Sequence, residues 1–498
     1  MDLFHHLLFG FSVAFSFQNI LYCFLGCLLG TLVGVLPGIG PLATIAMLMP
    51  LTYNAPPVAA LIMLAGIYYG AQYGGSTTSI LVNLPGETAS VVTCIDGYQM
   101  ARQGRAGPAL AIAAIGSFFA GTVCTVIIAL FGPPLARMAL KFGPPEYFSL
   151  MLMGLITAAV LAQGDMSKSL GMVVLGLLLG SVGTDIESGV QRFCFGIYEL
   201  SDGIGFVVLA VGVFAVGEIV DNLGETEERQ VFTSKIKSLL PTREDFKLST
   251  PSIIRGTFLG AFFGVLPGTG PAIASFLSYM VEKKVAKDPS QFGQGAIQGV
   301  AAPEAANNAD AQCKFIPMLT LGIPASAVMA LMLGAMTIQG ITPGPQVMVK
   351  NPDLFWGLIA SMWIGNSMLL VLNLPLVGLW VYMLKVPYRL LFPAIIIFSS
   401  IGIYSVNNSP FEVYLAAIFG VLGFFWKKFK CPAAPFLLGF VLGPMIEEYL
   451  RRALMISQGN PAVFFTRPIS LGFMIATALI LITMTVPAVR KRQNILSA

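Results

Sequence analysis

Two stretches of this 498-residue chain, 230 positions apart, carry the same unusual pattern: Gly34-Val35-Leu36-Pro37-Gly38-Ile39-Gly40-Pro41 and Gly264-Val265-Leu266-Pro267-Gly268-Thr269-Gly270-Pro271. Upstream of each runs a glycine at every fourth position: Gly26, Gly30, Gly34 and Gly38 in the first copy, Gly256, Gly260, Gly264 and Gly268 in the second. Across 26–41 and 256–271, ten of sixteen positions are identical. Both copies lie in strongly apolar sequence and end in Pro-Gly-x-Gly-Pro, which a regular helix cannot run through. Paired interruptions of hydrophobic segments in the two halves of a chain point to the binding site of a transporter.

Composition sets the solvent. The chain is 56% hydrophobic and only 10% charged, against roughly 25% charged for soluble domains, so it reads as an integral membrane protein. A spanning helix needs about 20 apolar residues, and several apolar blocks are shorter. They predict about 11 to 13 membrane elements, some of them re-entrant. The blocks are continuous rather than alternating, which excludes a barrel and makes the fold all-α. Seven cysteines are scattered without a CxxC, and the only histidines are His5 and His6, so neither disulfides nor a zinc site is expected. The net charge of +4 is carried by loops and says nothing of nucleic acid. Residues 1–18 lack a basic start and a small-residue cleavage site, so no cleaved signal peptide is expected.

The long polar interval near 222–255 divides the chain into a first membrane half, 1–221, a polar linker, 222–250, expected in the cytoplasm, and a second half, 251–498. The basic tail Arg490-Lys491-Arg492 is expected on the same side. A second correspondence supports the repeat. Gly74-Gly75-Ser76-Thr77-Thr78 leads to Asn83-Leu84-Pro85-Gly86-Glu87, and Phe315-Ile316-Pro317 leads to Gly322-Ile323-Pro324-Ala325-Ser326, so that Pro85 and Pro324 lie 239 apart. Each half therefore reads as hairpin, helix, polar break, helix.

The Pro-Gly-x-Gly-Pro turns come first among candidate binding elements. Pro41 and Pro271 suit the first turn of a helix, and free amides there form an anion site at Gly38 and Gly40, and at Gly268, Thr269 and Gly270. The alternative is a plain interfacial loop. A break expected at Gly74–Thr78, with Asn83, offers the hydroxyls of Ser76, Thr77 and Thr78 and an amide within apolar sequence, and the run 304–314 offers Asn307, Asn308 and Lys314. Polar groups at such positions are costly and are functional candidates, unless they line helix contacts or a surface loop. Glu87, Glu304 and Asp310, with Asp96, are candidates for proton relay or a cation site. Asp310 and Lys314, four apart, can instead neutralise each other, and Glu447-Glu448 with Arg451-Arg452 form a similar surface lattice. No phosphate loop, nucleophile elbow or zinc-protease motif occurs, so the chain is not expected to be an enzyme.

At these residues a family comes into view. GVLPGIGP, GAQYGGSTTSILVNLPGE, DGYQMARQGRAGPAL, APEAANN, LTLGIPAS, LGPMIEEYLRRAL and FFTRPIS resemble the large membrane subunit of the tripartite tricarboxylate transporters, the TctA family, over about residues 15–490. The resemblance implies a secondary importer in a bacterial inner membrane, carrying small organic carboxylates of the tricarboxylate or dicarboxylate type by symport with Na+ or H+, with no permanently bound cofactor. It implies a small membrane subunit and a periplasmic solute-binding protein as partners, and an elevator-type fold of two inverted-repeat halves with re-entrant hairpins. An organic anion channel or exporter that needs no binding protein is the rival reading. The chain departs from the family pattern after Asn308, where Asp310, Gln312, Cys313 and Lys314 replace small residues and a glycine pair. Lys314 is then either an extra contact for a carboxylate, tuning substrate choice, or a partner held by Asp310.

Overall fold

Proline and glycine punctuate the apolar sequence into helices. Pro41, Pro57, Pro144, Pro271, Pro352 and Pro410 each open a helix in its first turn, where a missing N–H costs nothing. Ser16 caps the helix Phe17–Gly34, and Thr242 and Asp245 cap Arg243–Val265 reciprocally. The computed structural model describes residues 3–36, 40–162, 165–185, 187–217, 220, 239–266, 270–383 and 388–485. These are almost wholly helical; the strands described are one short antiparallel pair, Gly183–Thr184 with Gln191–Arg192.

Among the described residues, five helices are long and apolar enough to cross a membrane: Phe17–Gly34, Ala106–Ala139, Pro352–Asn373, Pro410–Lys428 and Ala433–Ile456. Shorter apolar helices, among them Pro41–Thr52, Met166–Gly180 and Ala327–Ile338, accompany them, in line with the short apolar blocks of the sequence. Ala106–Ala139, at 34 residues, is about 51 Å long and overshoots a hydrocarbon layer of about 30 Å.

Two helices lie inside the others. In Pro57–Val82 every residue from Ala59 onward is buried, and in Gln298–Cys313 every residue after the first is buried. A helix buried on all sides has no lipid-facing stripe. The polar run 304–313 is thus a core helix and not a surface loop.

Glycine makes this packing possible. A Cβ on Gly26, Gly30 or Gly34 would overlap the carbonyl oxygens of Met63, Ile67 and Ala71. One on Gly256, Gly260 or Gly264 would press on the carbonyls of Ala302, Ala306 and Asp310. The glycines correspond at 230 positions and their partners at 239, so the two halves repeat one helix-pair contact residue by residue. Small residues permit such close approach of membrane helices.

Two expectations shift. Gly74–Thr78 does not interrupt its helix; Pro57–Val82 is continuous, and the break falls at Asn83, whose φ of 59° ends it in the left-handed conformation. Gly322, 239 positions on, ends its helix the same way with φ 70°. Glycines packed against a neighbouring backbone stay helical, whereas a left-handed residue stops the helix. Residues 243–250, polar enough to read as linker, form the first turns of Arg243–Val265. Most of the remaining linker, 221–238, lies outside the described residues.

Candidate functional site

Where the two buried helices face each other, their polar side chains meet. Ser76 donates to Glu304 Oε2 at 2.5 Å, and Thr93 donates to Glu304 Oε1. Asn307 Nδ2 donates to Glu87 Oε1 at 2.7 Å. Asn308 Nδ2 donates to Ser117 Oγ at 2.7 Å and to the Glu304 carbonyl at 3.1 Å. Each of the first three pairs joins a residue of the first half to one of the second, and all these groups are buried. Five of the sequence candidates, Ser76, Glu87, Glu304, Asn307 and Asn308, therefore belong to one centre. Neither Glu87 nor Glu304 has a basic partner among the described residues.

Local structure explains why Glu87 reaches this centre. After the helix ends at Asn83, the chain turns back, and Gly86 lies against Gly75 and the Gly34 carbonyl, where a Cβ would not fit. This sets Glu87 beside Gly75, as the first residue before the turn Thr88–Ser90 and the helix Val91–Arg102. Gly264 rests on the Asp310 carbonyl, one turn beyond Asn307. The ends of both glycine helices thus reach the same region.

Asp310 and Lys314 form a fully buried ion pair, the second of the two readings that the sequence allowed for Lys314. By the 239 correspondence these positions are Ala71 and Gly75 in the first half, so the pair is particular to the second. Asp310 Oδ1 has no hydrogen-bond partner among the described residues.

Thr77 is buried beside Ser76, while Thr78 donates to the Val35 carbonyl at 2.7 Å and pins the end of the first glycine helix. Asn83 is exposed and serves as the left-handed helix end. Gly40 and Gly270 are the extended residues before the helices Pro41–Leu48 and Pro271–Val285, and around both a Cβ would meet nothing within 4 Å. The same open helix start occurs in each half. Gly38, Gly268 and Thr269 lie outside the described residues.

Asp96 has a different role from the one its charge suggested. Its carboxylate accepts N–H bonds from Gly293, Gly295 and Ala296 at 2.8, 2.8 and 2.9 Å, and the Tyr279 hydroxyl at 2.9 Å. It is a clamp between the halves with its lone pairs in use. Sequence reasoning missed Thr93 and Ser117. Thr93 and Ser117 sit three residues before Asp96 and inside an apolar helix, and nothing local marks a hydroxyl whose partner is 211 or 191 residues away.

Spanning helices around a buried polar centre define a polytopic all-α membrane protein. The model of the tripartite tricarboxylate transporter TctA family matches residues 20–438, and the chain belongs to that family. A protein of Agrobacterium vitis described as "Uncharacterized 52.8 kDa protein in TAR-I ttuC' 3'region" is 58% identical over 494 residues, 99% of this chain and 98% of its own. A second from the same organism, "Uncharacterized protein in TAR-II ttuC' 3'region", is 57% identical over 235 residues, 47% of this chain and 97% of its own. No solved structure matches the chain.

Proposed function

We propose that the chain is the membrane permease subunit of a binding-protein-dependent secondary transporter, importing small organic carboxylates by symport with Na+ or H+ across a bacterial inner membrane. Its partners are a small membrane subunit and a periplasmic solute-binding protein. The carrying observation is the pair of buried carboxylates, Glu87 and Glu304, held across the two halves by Asn307, Ser76 and Thr93 without a basic partner among the described residues. A carboxylate in a membrane core must be compensated by a proton or a cation. A centre that needs this partner, built from both halves, makes the relative position of the halves depend on the ion.

The anion belongs at the Gly38–Gly40 and Gly268–Gly270 turns, where the starts of Pro41–Leu48 and Pro271–Val285 present free amides at the positive ends of helix dipoles. In the same reading Thr77, Asn83 and Asn308 serve as further contacts for the anion, and Lys314 acts through Asp310, with which it is paired. In this reading the halves are inverted repeats, and one substrate-carrying domain moves as an elevator.

The test is uptake of radiolabelled carboxylate into proteoliposomes holding the purified membrane subunits, with binding protein, Na+ and pH varied separately. Uptake that requires the binding protein and an inward ion gradient, and that loses its ion dependence in Glu304→Gln, supports the reading. Flux that needs neither sinks it in favour of a channel.

A further inference from the structure

We infer that the void between Tyr73, Ser76, Thr77, Ser117 and Asn373 is a binding site for a dehydrated Na+ ion. The inference rests on the ion-coupled reading above and narrows it to one ion and one place. The void measures about 10 Å³, room for one particle the size of a water. Its five polar lining residues come from three helices, Pro57–Val82, Ala106–Ala139 and Pro352–Asn373, and all are at least nine-tenths buried. On the remaining side it is floored by Leu110 and two alanines.

The hydrogen bonds decide what the void can hold. Ser76 commits its proton to Glu304, so it faces the void with lone pairs only. Asn373 donates its Nδ2 to the Leu369 carbonyl at 2.9 Å, which leaves Oδ1 as the free end, and that oxygen has no partner among the described residues. The Tyr73 hydroxyl is likewise unpartnered. Ser117 accepts from Asn308 and has a lone pair left. Every lining polar group but the Asn373 amide nitrogen is an oxygen, and the uncommitted hydroxyl protons of Tyr73, Thr77 and Ser117 can rotate away from a bound ion. With Glu304 behind Ser76, the void therefore suits a cation better than an anion.

Charge and donor type narrow the choice. Glu304 lies one hydrogen bond away through Ser76 and supplies a single negative charge. Asn373 is the last residue of its helix, so the negative end of that dipole points to the same place. All donors are oxygens, which excludes a preference for soft metals, and one nearby carboxylate is too little for the charge-rich cages of Ca2+. A water-sized void favours the smaller alkali ion over K+. Binding there engages Ser76, and through it Glu304 and Thr93, so the ion would stiffen the seam between the halves.

The test uses the purified full-length protein in detergent, with Tm measured against NaCl, KCl and choline chloride at constant ionic strength. Na+ alone is expected to raise Tm in a saturable way. Asn373→Leu, Ser117→Ala and the near-isosteric Thr77→Val are each expected to move half-saturation to at least tenfold higher Na+, while the exposed Ser405→Ala leaves it in place. Thr77→Val keeps the test alive if the larger change prevents folding. Wild-type half-saturation in all three variants places the Na+ site elsewhere and overturns the inference, and Na+-driven uptake would then still uphold the transport reading. A wild-type protein that Na+ does not stabilise, with uptake driven by pH alone, assigns the void to a bound water and also overturns it. Uptake indifferent to every ion gradient would instead remove the reading on which the inference rests.

Discussion

Replacing Gly30 or Gly260 by alanine tests the repeated helix contact on which the centre is built. A Cβ on Gly30 would overlap the Ile67 carbonyl oxygen and lie 2.7 Å from the Ile67 Cα; on Gly260 it would overlap the Ala306 carbonyl and lie 2.7 Å from the Ala306 Cα. Carbon atoms rest at about 3.5–4.0 Å, so the helices must part by roughly 1 Å. The obstacle is backbone on both sides, and no side-chain rotation relieves it. Overpacking of this kind costs about 1–3 kcal/mol, against which the better helix propensity of alanine returns up to about 1 kcal/mol. The parting also spreads along the stripe to Gly34, whose carbonyl touches Gly86 beside Glu87. Both variants should therefore lose thermal stability in detergent and lose transport in proteoliposomes, to a similar degree because the two contacts correspond. Gly171→Ala, which meets nothing within 4 Å on a helix of the first half, is the control and should melt at or slightly above the parent and transport as well as it does. If Gly30→Ala and Gly260→Ala melt with the parent and the control, the close contact does not carry the packing and the argument fails.

Lys314→Met should destabilise by about 3–5 kcal/mol in chemical denaturation, because it strands Asp310 as an unpaired buried charge, and adding Asp310→Ala should recover most of the loss by restoring the first half's uncharged arrangement. A lone Lys314→Met as stable as the parent would show that the pair does not hold. Asp96→Asn should weaken the clamp on residues 293–296 by about 1.5–3 kcal/mol, seen as faster hydrogen exchange of those amides, and unchanged exchange would count against it. At the hairpin, bonds from the Ser188 hydroxyl first, then from the Glu187 amide, Arg192 and Arg451, hold the Asp185 carboxyl well below the usual carboxylate range. A depressed acid stabilises its network at neutral pH and releases it only as pH falls through the lowered value. Protease cleavage at 181–204 should thus stay slow until well below about pH 4; a rise between pH 6 and 5 would contradict the network.

Much of this was legible in the chain. Gly26, Gly30 and Gly34 with their partners 230 positions on announced the repeat, and their four-residue spacing in apolar sequence is compatible with close-packed helices, which the structure shows. Glu87, Glu304, Asn307 and Asn308 announced a centre because polar groups in a membrane core persist only for a purpose. The helix break was misread at Gly74–Thr78, since glycine permits both a turn and a tight helix contact and local sequence does not distinguish them. Packing against Thr31, Gly34 and Val35 decided for the helix.

Periodicity, small residues and costly polar ones are properties of a few neighbouring positions, so the sequence alone determined the solvent, the helical class, the repeat and the presence of a polar centre. Which group meets which depends on how helices far apart in the chain are laid side by side. Only the tertiary structure could bring Thr93 to Glu304, Ser117 to Asn308 and Asn373 to the same void as Ser76, because those placements are set by packing and leave no trace in the local pattern.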